Sequence, residues 1–148
     1  MKPTKEAESE IQRVLDEVAE AFEDRNLHKM MSLFSTSDET VAIGTGADEK
    51  KIGVEEIKSL FKRDWAQSEA SSIVYNWKTI TVEDHIAWAT AEATFYARIG
   101  TREMHIPTRM TVVMKKIDGK WVIVQWHSSI PAAGQQQGEA WPQNYPVA

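Results

Sequence analysis

Apolar residues recur at helical spacing over the first part of the chain and at alternate positions over the rest. Ile11, Val14, Leu15, Val18 and Phe22 fall at i, i+3, i+4, i+7 and i+11 with charges between them, the stripe of an amphipathic helix, and Thr4 is placed to cap its start. The break Asp24-Arg25-Asn26 precedes Leu27, Met30, Met31, Leu33 and Phe34, a short second helix. After a polar turn, Val41-Ala42-Ile43-Gly44 reads as a brief strand running into a glycine-containing loop. Val54, Ile57, Leu60, Phe61 and Trp65 mark a third amphipathic helix. From Ser72 the period becomes two. Four strands are predicted, 73–82, 86–99, 104–117 and 121–130, with short links at Glu83-Asp84-His85, Gly100-Thr101-Arg102 and Asp118-Gly119. Long strands with such links form an antiparallel meander. Helices first and a meander last predict an α+β fold in which three N-terminal helices cover one face of the sheet, with the short strand at Val41 joining it.

The chain's 148 residues suit one domain, which buries roughly 70% of its unfolded surface and needs no metal or disulfide staple. That domain is expected over residues 1–134. Residues 135–148, with Gln135-Gln136-Gln137, Pro142 and Pro146, read as an irregular tail. The absence of cysteine excludes disulfides, thiolate nucleophiles and cysteine metal sites. Charges of both signs are interspersed to a net −5, and Lys50-Lys51 and Lys115-Lys116 are isolated basic pairs, which argues against a nucleic-acid partner. No apolar run suits a signal core or a membrane span, so a soluble cytoplasmic protein is expected. The six tryptophans change the picture most. Each can bury ~200 Å², or about 5 kcal/mol of transfer free energy, and six exceed the needs of a plain core. Some are therefore expected to line a cavity or an interface. Gly44-x-Gly46 lacks the third glycine, the following helix and the βαβ unit of a phosphate loop, and reads as a turn.

The order of two helices, short strand, third helix and meander resembles the SnoaL-like branch of the nuclear-transport-factor-2-like superfamily. Val41-x-Ile43-Gly44-Thr45-Gly46, Ile86-Ala87-Trp88, Arg109-x-Thr111, Asp118-Gly119-Lys120-Trp121 and His127-x-Ser129-x-Pro131 are similar to that branch in type and spacing. The resemblance implies a cone-shaped curved sheet, a pocket between helices and concave face, and a homodimer through the outer face. The superfamily includes ketosteroid isomerases, polyketide cyclases, dehydratases, transport factors and the association hubs of calmodulin-dependent kinases, so fold alone does not choose a function. Ketosteroid isomerases carry an Asp base and a Tyr donor where this chain has Ile43 and, nearby, Ala19. The arginines of the kinase hub's pocket correspond here to Glu92, Val112 and Ser128.

Alternation on the last strand separates Val122, Val124, Trp126, Ser128 and Ile130 from Trp121, Ile123, Gln125, His127 and Ser129. The first set is expected to face the cavity and the second a partner subunit, with Trp121, Ile123, Gln125 and His127 in the dimer contact. A two-residue turn at Asp118-Gly119 places Trp126 opposite Thr111. A three-residue loop with a bulge places it opposite Met110, which gathers Met110, Val112, Met114, Val122, Val124 and Trp126 into one wall and is the register expected. On the strand 86–99, the alanine-rich face read alone packs on a helix and leaves Trp88, Glu92 and Tyr96 for a partner. The resemblance implies the opposite, with those three in the pocket, and that assignment is adopted.

The expected ligand site is thus Trp88, Glu92, Tyr96, Met110, Trp126 and Ser128. It suits a neutral or weakly polar small molecule and needs no cofactor. Glu92, or failing it His127, is the candidate proton-transfer residue of a cofactor-free isomerase, cyclase or dehydratase. A third reading is an oligomerisation module whose pocket is vestigial. His28, His85 and His105 lack a converging ligand set, so no metal site is expected. The tail, with Trp141 and Tyr145, is expected to lie against the dimer.

Overall fold

Helix α1 (Lys5–Asp24) opens where the sequence places its cap: the Thr4 hydroxyl accepts from the Ala7 amide at 3.1 Å. The computed structural model describes residues 4–143. Ile11, Val14, Leu15, Val18 and Phe22 are all buried along one face of α1. The helix ends at Arg25, whose backbone is left-handed. Its guanidinium donates to the carbonyls of Trp65 and Ser68 at 2.6 and 2.8 Å, tying this corner to the end of α3. Helix α2 (Leu27–Ser32), strand β1 (Val41–Ile43), strand β2 (Lys50–Ile52) and helix α3 (Val54–Ala66) follow. The meander is β3 (Ala70–Glu83), β4 (Ile86–Ile99), β5 (Arg102–Ile117) and β6 (Lys120–Ser129). From Ile130 to Gln143 the chain holds turns without a helix or strand, and Trp141 is exposed; Tyr145 lies outside the described residues.

The fold is α+β, with one curved, unclosed six-stranded sheet in the order β2-β1-β6-β5-β4-β3. The short strand joins it as expected, running parallel to β6. β2, which the periodicity of the chain does not predict, pairs antiparallel with β1 and extends the edge. Helices cover one face. The Tyr75 hydroxyl donates to the Leu15 carbonyl at 2.9 Å, and the Trp121 indole donates to Glu10 at 2.8 Å, so α1 is fastened to both β3 and β6.

Two irregularities determine which side chains face those helices. In β3 the register shifts between Tyr75 and Trp77, so Ile73 and Tyr75 face inward before it and Trp77 faces outward after it. In β6, Ile123 pairs with Met114 and Gln125 with Val113, leaving Val124 as an extra residue. A bulge of this kind breaks the two-residue alternation. Trp121 and Ile123 point inward before it, and Trp126 and Ser128 point inward after it. The expected split of β6 into two continuous faces is therefore corrected: Trp121 and Ile123 are core residues, 6% and 0% exposed, and do not form a dimer contact. The register is corrected with it. Asp118-Gly119 is a two-residue turn with both φ angles positive, and the bulge brings Trp126 opposite Val112, neither Thr111 nor Met110.

On β4 the alanine face is the inner one. Ala87, Ala89, Ala91 and Ala93 are buried in the same core as Ile11, Leu15 and Val18.

Candidate functional site

Beyond the small alanines the inner face changes character. β4 continues with Phe95, Ala97 and Ile99, and there α1, α3 and the sheet part around a cavity of about 300 Å³. Its apolar lining includes Phe22, Phe34, Leu60, Phe61, Phe95 and Trp126. The aromatic groups brace one another: Phe22 meets Phe95 edge-on at 5.8 Å, and Phe61 lies between Phe34 and Trp65 at 5.9 and 5.8 Å. Such a wall offers a ligand apolar contact from rings already held in place.

Polar groups on the lining are few. The Trp126 indole N–H donates to the Ser128 hydroxyl at 2.9 Å, and that hydroxyl keeps its own proton to donate. Thr108 donates to the Ala93 carbonyl. The Ser71 hydroxyl, also on a lining residue, is buried without a partner.

Only two charged side chains line the cavity among the described residues, Glu49 and Asp64. Glu49 is engaged at both oxygens, accepting from the Gly46 amide at 2.7 Å and pairing with Arg63 at 2.8 Å. A Cβ at Gly44 would sit 2.5 Å from the Glu49 carboxylate, so the glycine permits the loop to fold over that side chain. The Gly44-x-Gly46 segment therefore cradles a carboxylate of its own chain.

Asp64 is different. It stands four residues after Leu60 and seven after Ile57, on the buried stripe of α3, and is half-buried. Burial pushes its carboxyl up from the ordinary 3.8 to about 6; the Glu49 charge adds to the rise, and Arg63 opposes it. No hydrogen bond is among the influences on it. An acid whose pKa is raised by folding destabilises the folded state when ionised. That penalty is complete above about pH 6 and fades as the pH falls towards 3.8. Screening at a half-buried carboxylate reduces the effect to about 1 kcal/mol. Asp64→Asn is therefore expected to stabilise the protein by about 1 kcal/mol at pH 8. In thermal or urea unfolding the advantage should shrink between pH 6 and pH 4.5; an advantage independent of pH would dissociate it from ionisation.

The expected site residues do not share one wall. Trp126 and Ser128 line the cavity. Met110 is on the inner face but closed into the core at 2% exposure. Tyr96 borders the cavity, while its ring packs on His105 at 4.6 Å. Trp88 and Glu92 lie on the outer face, opposite in register to Val113 and Arg109, and are exposed. The adopted placement of that strand is thus corrected in favour of its residue-based reading, because alanine side chains let the helix approach where indole and carboxylate would not fit. His127 is also exposed on the outer face. Among the described residues no three His, Asp or Glu side chains gather as a metal site, and no helix is long and apolar enough to cross a membrane. The missed residue, Asp64, carried a signal: a carboxylate in the apolar stripe of α3, between Phe61 and Trp65.

Comparison with known proteins bears on this arrangement. Residues 11–133 match the SnoaL-like domain family. The chain belongs to the SnoaL-like domain family. A solved structure of a candidate calcium/calmodulin-dependent protein kinase II association domain from Xanthomonas campestris is similar to it at 25% identity and TM-score 0.74, over 84% of this chain and 87% of that one. A nuclear transport factor 2-like superfamily protein from Salmonella enterica is similar at 22% identity and TM-score 0.79, covering 90% and 96%. A candidate dehydratase of the same superfamily from Streptomyces avermitilis is similar at 15% and 0.77, covering 84% and 97%. No curated protein matches the sequence significantly. In this SnoaL-like domain Ile43, at the position where the resemblance to ketosteroid isomerases would call for an acid, lines the cavity as an apolar residue, and the carboxyl arrives from α3 instead.

Proposed function

We propose that this SnoaL-like domain binds a small, mostly apolar organic molecule between α1, α3 and the inner face of the sheet, without a cofactor. The cavity lining carries the reading: about 300 Å³ walled by braced aromatic rings with a few polar groups, the general form of a small-molecule site. Ser128 and Asp64, both on the lining, orient the ligand, and Glu92 on the outer face does not. A thermal-shift screen of steroids, aromatic polyketides and short carboxylates tests it. Ring compounds should raise the melting temperature and short carboxylates should not, since both charged lining groups are acidic. A screen in which no ring compound shifts the transition overturns the reading.

A second reading, a cofactor-independent isomerase, cyclase or dehydratase, is favoured by one observation: a carboxyl on an apolar wall with its pKa at about 6. General acid–base catalysis works best when the group titrates near the operating pH. In this reading Asp64 moves the proton, and Glu92 and His127, on the far side of the sheet, take no part.

We further propose that a second copy of the chain covers the outer face. Trp77 and Trp88 are 50% and 38% exposed there, and Glu92 stands opposite Arg109 in the ladder. Exposed indoles interleaved with charges of both signs suit a self-complementary contact. Light scattering at micromolar concentration should give twice the chain mass, and the double variant Trp77→Glu, Trp88→Glu should give a monomer with unchanged circular dichroism. A monomeric unsubstituted protein overturns this.

A further inference from the structure

We infer that the polar end of the molecule held in the cavity is a protonated amine, recognised by Asp64. The inference rests on the small-molecule reading above and names its ligand class. Three features of the site lead to it. No lysine, arginine or histidine lines the cavity among the described residues, whereas two carboxylates do. Of those two, Glu49 is satisfied by Arg63 and the Gly46 amide. Arg63 in turn is held between Glu49 and Asp48, at 2.8 and 2.7 Å. Arg25, at the end of α1, is spent on the Trp65 and Ser68 carbonyls and the Ser68 hydroxyl. Arg63 and Arg25 are thus committed elsewhere, and of the two carboxylates on the lining that of Asp64 is the one left for a ligand.

The surroundings suit the same cation. Phe22, Phe34, Phe61, Phe95 and Trp126 present rings around the space that Asp64 borders. Aromatic faces attract ammonium groups, more strongly where water is excluded. A half-buried carboxylate also attracts an ionic partner more strongly than an exposed one does, because the partner offsets a charge that burial leaves poorly solvated. An organic anion meets two negative groups and no positive one on the lining, and a neutral alcohol can donate a hydrogen bond to the carboxylate but leaves its charge uncompensated. An amine on an aromatic or aliphatic body satisfies both the wall and the charge.

Three probes built on one indolylethyl frame separate these cases: tryptamine, tryptophol and indole-3-propionate, titrated calorimetrically into the full chain at pH 7.5. Tryptamine should bind at least tenfold more tightly than tryptophol, and indole-3-propionate most weakly. Lowering the pH to 5 protonates Asp64, whose carboxyl is held at about 6 by burial and Glu49 against Arg63. The amine stays charged throughout, since alkylamines titrate near pH 10. Tryptamine should therefore lose most of its advantage at pH 5 while tryptophol binds unchanged. Asp64→Asn should bring the two to equal affinity at pH 7.5, with its folding checked by melting temperature. Tryptophol binding as tightly as tryptamine to the unsubstituted chain, or an amine preference that survives Asp64→Asn, overturns the assignment and leaves the small-molecule reading in place. Failure of all three probes to bind overturns the amine assignment, while the small-molecule reading stands or falls by the thermal-shift screen.

Discussion

Replacing Ile123 with alanine is expected to destabilise the protein by about 2–5 kcal/mol, the range for emptying a buried aliphatic site. The value follows from the bulge at Val124. Without it, Ile123 would share a face with Gln125 and His127, and the strand could not turn both Ile123 and Trp126 inward. With it, Ile123 is 0% exposed, pairs with Met114 across the ladder, and exchanges backbone hydrogen bonds of 2.8 Å with Leu33 and Ser35. For a domain of this size each kcal/mol lowers the melting temperature by roughly 2–4 °C. Trp88→Ala removes a much larger side chain from the outer face and should change the unfolding free energy of the monomer by less than about 1 kcal/mol. Urea denaturation of both variants, each in a Trp77→Glu background shown by light scattering to be monomeric, checks the pair. A costly Trp88→Ala and a mild Ile123→Ala would reverse the two faces of the sheet.

Replacing Ala97 with tryptophan is expected to abolish binding of any cavity ligand, tryptophol among them, to below calorimetric detection. Ala97 follows Phe95 on the inner face of β4 and is a small side chain on the lining. An indole there projects into the cavity of about 300 Å³ and occupies the ligand's place. Since the space is open, the variant should fold; crowding against Phe95 and Ile99 limits the cost to about 1–3 kcal/mol, and Ala97→Phe is the milder version. Arg98→Trp, one residue on and facing the opposite side, should leave binding unchanged. Retained binding in Ala97→Trp would put the ligand outside this cavity.

Much of the architecture was legible in the order of residues. The stripe of α1, its Thr4 cap, the break at Arg25, and the start and end of β4 at Ile86 and Ile99 all follow from local pattern. These features depend on neighbours a few positions away, and periodicity reports on such neighbours directly. β2 escaped because Lys50-Lys51-Ile52 has too few residues to show a period, and it is a strand by virtue of pairing with β1. For β4 the alanine face was correctly suited to packing on a helix, and the family resemblance led away from it.

The site divides in the same way. Trp126 and Ser128 could be read as cavity residues from the sequence, yet the register that places them there depends on an extra residue at Val124 which alternation cannot reveal. Asp64 was visible as a misplaced carboxylate on the α3 stripe, but only the fold shows that the stripe borders open space beside Glu49. Sequence by itself determined every element but β2, their order and the amphipathic faces of the helices, because these are consequences of local sterics and of one residue's neighbours. Tertiary structure alone decided which sheet face is covered, where the ladder slips and which charge is left without a partner, because each is settled by groups that the chain brings together from distant positions.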